Sequence, residues 1–103
     1  MIIYRAYNQK TCKYYIGQTI HDLKTRKRRH VYDAFTLDSY TLFAKAIRKY
    51  GQNAFIWDVI DDARDIQELD ELEAYYIDSY DSFNDGYNMT TGGQNSKKKC
   101  RFY

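Results

Sequence analysis

One glutamate in this 103-residue chain stands where the helical pattern predicts an apolar side chain. Residues 66–79, capped by Asp65, read as a helix, and Glu73 projects into the middle of its apolar arc. The arc itself is made by Ile66, Leu69, Leu72, Tyr76, Ile77 and Tyr80. The other acids fall on its flanks or opposite it, at Glu68, Asp70, Glu71 and Asp78. A carboxylate directed at a core is costly unless a cation or donors meet it. Glu73 is therefore either paired with an arginine, brought to water by a rotated helix, or a metal ligand or acid–base group in a cleft.

Arg26 and His30 are a second pair whose types suit chemistry. They lie four residues apart in a helix predicted from the N-cap Asp22 to about Phe35, so they are neighbours along one edge of its apolar face. An arginine can hold a phosphate through two parallel hydrogen bonds, and a histidine can orient water or relay a proton. A solvated helix edge is the plain alternative. Lys27 falls within the apolar stripe, which the pattern does not explain.

Cysteine usage and hydropathy exclude several classes of protein. A zinc site from Cys12, His21, His30 and Cys100 is disfavoured because no two of these have the close spacing of zinc ligands. Two distant cysteines do not indicate a disulfide framework, so a reducing cytoplasm is expected. No apolar run approaches the roughly 18 residues of a transmembrane helix, and the first residues lack a secretory signal.

The net charge of +2 conceals three blocks of opposite sign. Residues 1–53 carry eleven Lys/Arg and three Asp/Glu, residues 54–96 one arginine and eleven acids, and residues 97–103 four bases. The basic half predicts an anionic ligand, although the two halves also attract each other. We expect phosphate contacts from Lys24, Lys27, Arg28, Arg29, Lys45, Arg48 and Lys49.

The elements that must position these residues are three strands and three helices in one domain. Strands are predicted at 2–7, 14–19 and 54–60, and the second helix is predicted to begin at a Ser39 cap and to end at Gly51. Gly17 within a strand indicates a bulge or a close approach by another group. We divide the chain into a domain of residues 1–96 and a basic tail of residues 97–103.

A series of ordered segments of the chain resembles the motifs of the GIY-YIG nucleases. "IIY" at 2–4 and "YIG" at 15–17 resemble the paired signature, and their tyrosines, Tyr4 and Tyr15, lie eleven residues apart as in homing members. The segment "GQTIHDLKTRKRRH" places the family's arginine and histidine on Arg26 and His30. "LFAKAIRKYGQNAF", "ELDELEAYYIDSY" and "GYN" extend the resemblance to about residue 93, with the family's glutamate on Glu73 and its asparagine on Asn88. The glycine of the first motif is Ile2 here, which puts local strand geometry in question more than chemistry.

The resemblance implies a fold and a set of roles. The fold is α+β, a small three-stranded antiparallel sheet flanked by helices, with Tyr4 and Tyr15 brought to one cleft. Glu73 is implied as the ligand of Mg²⁺, with Mn²⁺ as a substitute, and Arg26 as the clamp on the scissile phosphate. His30 would orient water or relay a proton, and Asn88 would hold its loop or Glu73 in place. A tyrosine is the implied base, and we favour Tyr4, with Tyr15 holding water or phosphate.

The resulting hypothesis is a Mg²⁺-dependent endonuclease that hydrolyses phosphodiesters in double-stranded DNA. A non-catalytic nucleic-acid-binding module that kept the fold is the alternative, and a protein-interaction domain using exposed tyrosines is a third. The segments "AIRKYG" and "GYNMTTGG" most resemble phage, viral and intron-encoded members. We expect a monomer, or a unit joined to a separate DNA-reading domain in a longer protein.

Overall fold

The computed structural model describes residues 1–92 and contains a three-stranded sheet with helices on both faces. The elements follow the order β1 (Ile2–Asn8), β2 (Lys13–Thr19), α1 (Leu23–Phe35), α2 (Leu42–Tyr50), a 3₁₀ turn (Gln52–Ala54), β3 (Phe55–Asp62) and α3 (Ile66–Ser79). The predicted α+β fold is confirmed. The predicted tail, residues 97–103, and the last residues of the predicted domain lie outside the described part of the chain.

The sheet has the order β2-β1-β3, and both pairings are antiparallel. In the register of β1 with β2, Tyr4 lies opposite Gly17 and Ala6 lies opposite Tyr15. A bulge interrupts the pairing of β1 with β3 between Ile3 and Tyr4. Because side chains alternate between the faces of a strand, Tyr4 and Tyr15 point to the same face.

Each face of the sheet has its own hydrophobic cluster. Phe43, Ala46 and Ile47 of α2 pack with Ala6 of β1 on the face that carries the tyrosines, and Ala34 of α1 joins them. Ile3 and Ile16 pack with Leu69 and Ile77 of α3 on the other face. The central strand β1 is thus covered on both sides, and the site residues are fixed by two cores rather than by one.

Local capping chemistry sets two of the three helix starts where the sequence predicts them. The Asp22 side chain accepts a hydrogen bond from the Thr25 N–H at 2.8 Å, and Asp65 accepts one from the Glu68 N–H at 2.8 Å. The prediction of Ser39 as the cap of the second helix is wrong: Thr41 accepts from the Ala44 N–H at 3.2 Å, and Ser39 instead accepts from the Thr41 N–H at 3.4 Å. The chain turns at Asp38, whose φ is 51°, and the cap of the helix is Thr41, two residues after the predicted Ser39.

Lys27 finds a specific partner on the sheet. Its ammonium lies 5.8 Å from the centre of the Trp57 ring, so the charge sits over an aromatic face rather than in the core. The buried residues of α1 are His30 and Ala34, while Leu23 and Val31 are only half-buried. No helix within residues 1–92 has the length and apolar content needed to cross a bilayer.

Candidate active site

Tyr4 is buried beneath the strand that carries the second motif. Its side chain is fully inaccessible to solvent, and its ring lies against Gly17 of β2. A Cβ atom at position 17 would overlap the Cζ and hydroxyl of Tyr4. Gly17 is therefore required by the close approach of a phenol, and not by an unusual backbone angle.

The Tyr4 hydroxyl lies 2.6 Å from Nε2 of His30, which is also buried. Burial, and to a smaller extent the neighbouring charge of Arg26, lower the pKa of His30 to about 3. The pKa of Tyr4 is raised well above its ordinary value, mainly by burial and then by Tyr15, although Arg26 opposes the shift. At neutral pH the pair therefore consists of a neutral phenol and a neutral imidazole.

Tyr15 lies beside this pair but reaches the surface. Its ring stacks on Phe43, with centroids 4.1 Å apart and planes 3° from parallel, and it meets the His30 ring edge-on at 5.3 Å. Burial raises the pKa of Tyr15, while the charge of Arg26 lowers it. Tyr15 lines the open cleft, whereas Tyr4 lies behind it.

The cleft has a volume of about 240 Å³ and collects most of the residues that the sequence predicts for the site. Its walls include Tyr15, Arg26, His30, Glu73 and Asn88. Tyr4, the remaining predicted catalytic residue, does not line the cleft but is hydrogen-bonded to His30, which does. A guanidinium, a carboxylate, a phenol and a neutral imidazole therefore face one space.

Glu73 faces this cleft and is only 6% exposed. Its carboxylate accepts a hydrogen bond from a residue of the sheet. Nε2 of Gln18 donates to Oε1 of Glu73 at 2.8 Å and to Oδ1 of Asp70 at 2.8 Å. Asp70, which the helical pattern places on the flank of the apolar arc, is buried there, with its side chain only 1% exposed. Sequence reasoning missed both Gln18 and Asp70. Two features of the sequence could have indicated them. Asp70 and Glu73 are three residues apart, so they share one face of α3. Gln18 is two residues after Ile16, so both side chains point to the face of β2 that packs on α3.

Asn88 ties its loop to β2 through both ends of its amide. Its Oδ1 accepts from the Ile16 N–H at 2.9 Å, and its Nδ2 donates to the Ile16 carbonyl at 2.8 Å. The Tyr87 N–H donates to the Tyr14 carbonyl at 2.9 Å. Of the two roles considered for Asn88, its contacts with Ile16 correspond to holding the loop.

The basic residues of α1 and α2 occupy two separate surfaces. Lys24, Lys27, Arg28 and Arg29 border one groove on α1, together with Tyr32. Lys45 and Lys49 border a second groove with Lys13. Arg48 is engaged internally, since its Nη1 donates to the Ala34 carbonyl at 2.9 Å and lies 3.6 Å from Asp38.

The residues described hold no group of three or more His, Cys, Asp or Glu side chains arranged to bind a metal. His30 is bonded to Tyr4, Cys12 is an exposed free thiol, and Cys100 lies outside the described residues. Two carboxylates line the cleft: Asp33 is paired with Arg29, and Glu73 is the one that could hold a cation.

The family model of the GIY-YIG catalytic domain matches residues 1–88. A solved alanine mutant of the catalytic domain of intron endonuclease I-TevI is 23% identical, covers 86% of this chain and 92% of its own, and superposes with a TM-score of 0.76. A second structure, of the catalytic domain of homing endonuclease I-TevI, is 23% identical, covers 85% of this chain and 96% of its own, and has a TM-score of 0.75. No curated protein sequence matches the chain. The structures show a shared fold, and the family match extends over most of the sequence; the chain belongs to the GIY-YIG family of nuclease domains.

Proposed function

We propose that this chain is an endonuclease that hydrolyses phosphodiester bonds in double-stranded DNA and requires a divalent cation. The observation that carries the proposal is the convergence of Arg26 and Glu73 on one cleft with Tyr15 and the Tyr4–His30 pair. A guanidinium suits a phosphate, and a carboxylate suits a hard cation. The remaining groups suit a water molecule whose proton must be removed.

The residues present fit Mg²⁺ better than a metal that needs a protein cage. Magnesium prefers oxygen ligands, retains several waters and often binds through one or two carboxylates and the phosphates of the substrate. Glu73 would be the protein ligand, and Mn²⁺ would substitute for Mg²⁺ at the same oxygens. When bound, such a cation neutralises charge that develops on the non-bridging and leaving oxygens of the phosphate.

The other residues of the site would each have a separate role in the reaction. Arg26 would clamp the scissile phosphate through its planar fork of donors. Tyr15 and His30 line the cleft and would hold the attacking water in line with the phosphorus atom. His30 would take a proton from that water at one ring nitrogen and pass the proton of Nε2 to an ionised Tyr4, and the charge of Arg26 favours ionisation of either tyrosine.

A cleavage assay on supercoiled plasmid separates this proposal from a non-catalytic nucleic-acid-binding module. We expect nicked and then linear product with Mg²⁺ or Mn²⁺ and none with EDTA. Duplex and single-stranded oligonucleotides of one sequence, compared in the same buffer, would define the preferred form of DNA. Binding without cleavage at any concentration of metal would favour the non-catalytic module.

We also propose the cellular compartment and the oligomeric state in which the domain acts. We infer that it acts in the reducing interior of a cell, because Cys12 is an exposed thiol with no disulfide partner among residues 1–92. We further infer that it acts as a monomer or as one unit of a longer protein, as in phage, viral or intron-encoded systems. Sedimentation velocity with and without DNA would test the oligomeric state.

A further inference from the structure

The contact between Gln18 and Glu73 joins the edge strand β2 to α3 at the cleft. The Gln18 side chain directs both hydrogens of one amide nitrogen at carboxylates, one on Asp70 and one on Glu73, each at 2.8 Å. The two acids lie three residues apart on α3, so they share one face of that helix. Both are buried, with exposures of 1% for Asp70 and 6% for Glu73.

We propose that Gln18 is a positioning residue that sets the rotation of the Glu73 carboxylate and thereby its affinity for the cation. The terminal torsion of a glutamate is broad and is not fixed by the backbone, so a donor on Oε1 is needed to choose its orientation. Asp70 anchors the other hydrogen of the Gln18 amide and prevents that amide from turning away. The inference rests on the proposed function, because it concerns the residue that would bind the metal.

The position of Gln18 in the chain makes this link specific. Gln18 follows Gly17, which lies against the Tyr4 phenol, and Tyr15 is three residues earlier on the same strand. A hydrogen bond from Gln18 therefore fixes Glu73 relative to the strand that carries Tyr15. Outer hydrogen bonds of this kind change metal affinity by roughly 10- to 100-fold when they are removed.

A structural strut between β2 and α3 would use the same contacts, so the test must measure metal binding directly. Mn²⁺ binding, followed by the electron paramagnetic resonance signal of the free ion, needs neither DNA nor turnover. In Gln18→Met, which keeps length and loses the donors, we expect Mn²⁺ affinity to fall by about 10-fold or more and the Mg²⁺ concentration for half-maximal cleavage to rise by a similar factor. Gln67→Met is the matched control, because Gln67 donates to Glu71 on an exposed part of the same helix.

A second variant keeps the test decisive if Gln18→Met does not fold. In Gln18→Asn the amide is kept and no charge is added, but the side chain is one methylene shorter and does not reach both carboxylates. We expect it to fold and to bind Mn²⁺ more weakly than the wild type. Mn²⁺ affinity within twofold of the wild type in a folded Gln18 variant would overturn the inference.

The Asp70→Asn variant tests whether Asp70 anchors the Gln18 amide or binds the cation itself. It retains an acceptor for the Gln18 amide, so we expect a smaller loss of Mn²⁺ affinity than in Gln18→Met. A loss as large as that of Glu73→Ala would make Asp70 a ligand and overturn its assignment as an anchor.

Failure of the proposed function and failure of the positioning role give different results. If the wild-type chain neither bound Mn²⁺ nor cut plasmid, the proposed function would fail. If the wild-type chain did both and Gln18→Met matched it, only the positioning role would fail.

Discussion

The hydroxyl of Tyr4 and Nε2 of His30 lie 2.6 Å apart, although 26 positions separate the two residues in the chain. The contact joins the central strand to the basic helix and places one shared proton behind the wall of the cleft. Burial disfavours the charged form of both groups, which raises the pKa of Tyr4 and lowers that of His30 to about 3. The pair is thus neutral until substrate or a cation changes its surroundings.

Tyr4→Phe and Tyr15→Phe should lower the cleavage rate unequally. Each change removes only a hydroxyl, so packing should be kept, but Tyr4→Phe also removes the partner of His30. We expect the loss to be larger in Tyr4→Phe, by about 100-fold or more. Single-turnover cleavage over about pH 6 to 10 measures it, and the wild-type rate should keep rising with pH because the phenol pKa values are raised. Full activity in both variants would leave His30 or a metal-bound hydroxide as the proton acceptor.

His30 should make the fold sensitive to acid. Its pKa is about 3 in the folded chain and near the ordinary 6.5 when unfolded, so between these values the unfolded chain binds the extra proton. The contribution of His30 to the free energy of unfolding is complete above pH 6.5 and falls as pH drops toward 3, by up to about 1.4 kcal/mol per pH unit.

Urea unfolding at several pH values would measure this dependence. His30→Asn should flatten the fall in stability between about pH 6.5 and 4, whereas His21→Asn should leave it unchanged because His21 is exposed. An unchanged slope in His30→Asn would show that another group carries the acid sensitivity.

Glu73→Ala should abolish cleavage and leave the domain folded. The change removes the proposed ligand, while the Gln18 amide keeps Asp70 as an acceptor, so we expect a loss of stability of no more than about 1–2 kcal/mol. Glu71→Ala, an exposed acid on the same helix, is the control and should cut at the wild-type rate. Plasmid nicking and thermal unfolding would be measured on the same samples. An unfolded Glu73→Ala would favour a structural salt bridge, and an active one would rule out the metal-ligand role.

DNA affinity should fall steeply with salt, and the basic residues should contribute unequally. For Lys24→Gln and Lys45→Gln, whose side chains are exposed, we expect the slope of log affinity against log salt to decrease by about 0.9 each. Arg48→Gln should leave the slope nearly unchanged and cost about 1–2 kcal/mol of stability, because Arg48 bonds the Ala34 carbonyl. Fluorescence anisotropy on a Glu73→Ala background would give the slopes. Affinity that is independent of salt would contradict any role in binding nucleic acid.

Gly17→Ala should destabilise the domain by about 1–3 kcal/mol, because the added methyl overlaps the Tyr4 phenol. Most of that cost should disappear in a Tyr4→Leu background, where the overlapping atoms are absent. The interaction term of a double-mutant cycle in urea provides the measurement. Additive effects would show that the two residues do not compete for the same space.

The sequence predicts well those features of the fold and the site that depend on residues close together in the chain. The caps Asp22 and Asp65 bond N–H groups three residues later, and the inward projection of Glu73 follows from helix geometry alone. The burial of Asp70 was missed because its partner, Gln18, is 52 positions away on another element. The cap of the second helix was misplaced because Ser39 and Thr41 are both capping residue types, and the sequence alone does not choose between them.

The bond between Asn88 and Ile16 also affects how the domain meets copies of itself. β2 is an edge of the sheet, and an open edge is a template for pairing with strands of other molecules. Tyr87 and Asn88 occupy part of that edge by bonding Tyr14 and Ile16, so intermolecular strand addition there is blocked. The opposite edge, β3, carries acidic side chains at Asp58, Asp61 and Asp62, of which Asp58 is paired with Arg5, and charged side chains on an edge disfavour strand pairing with a second copy. A substitution that frees the β2 edge, such as Asn88→Ala, would therefore be expected to show itself first as aggregation during expression.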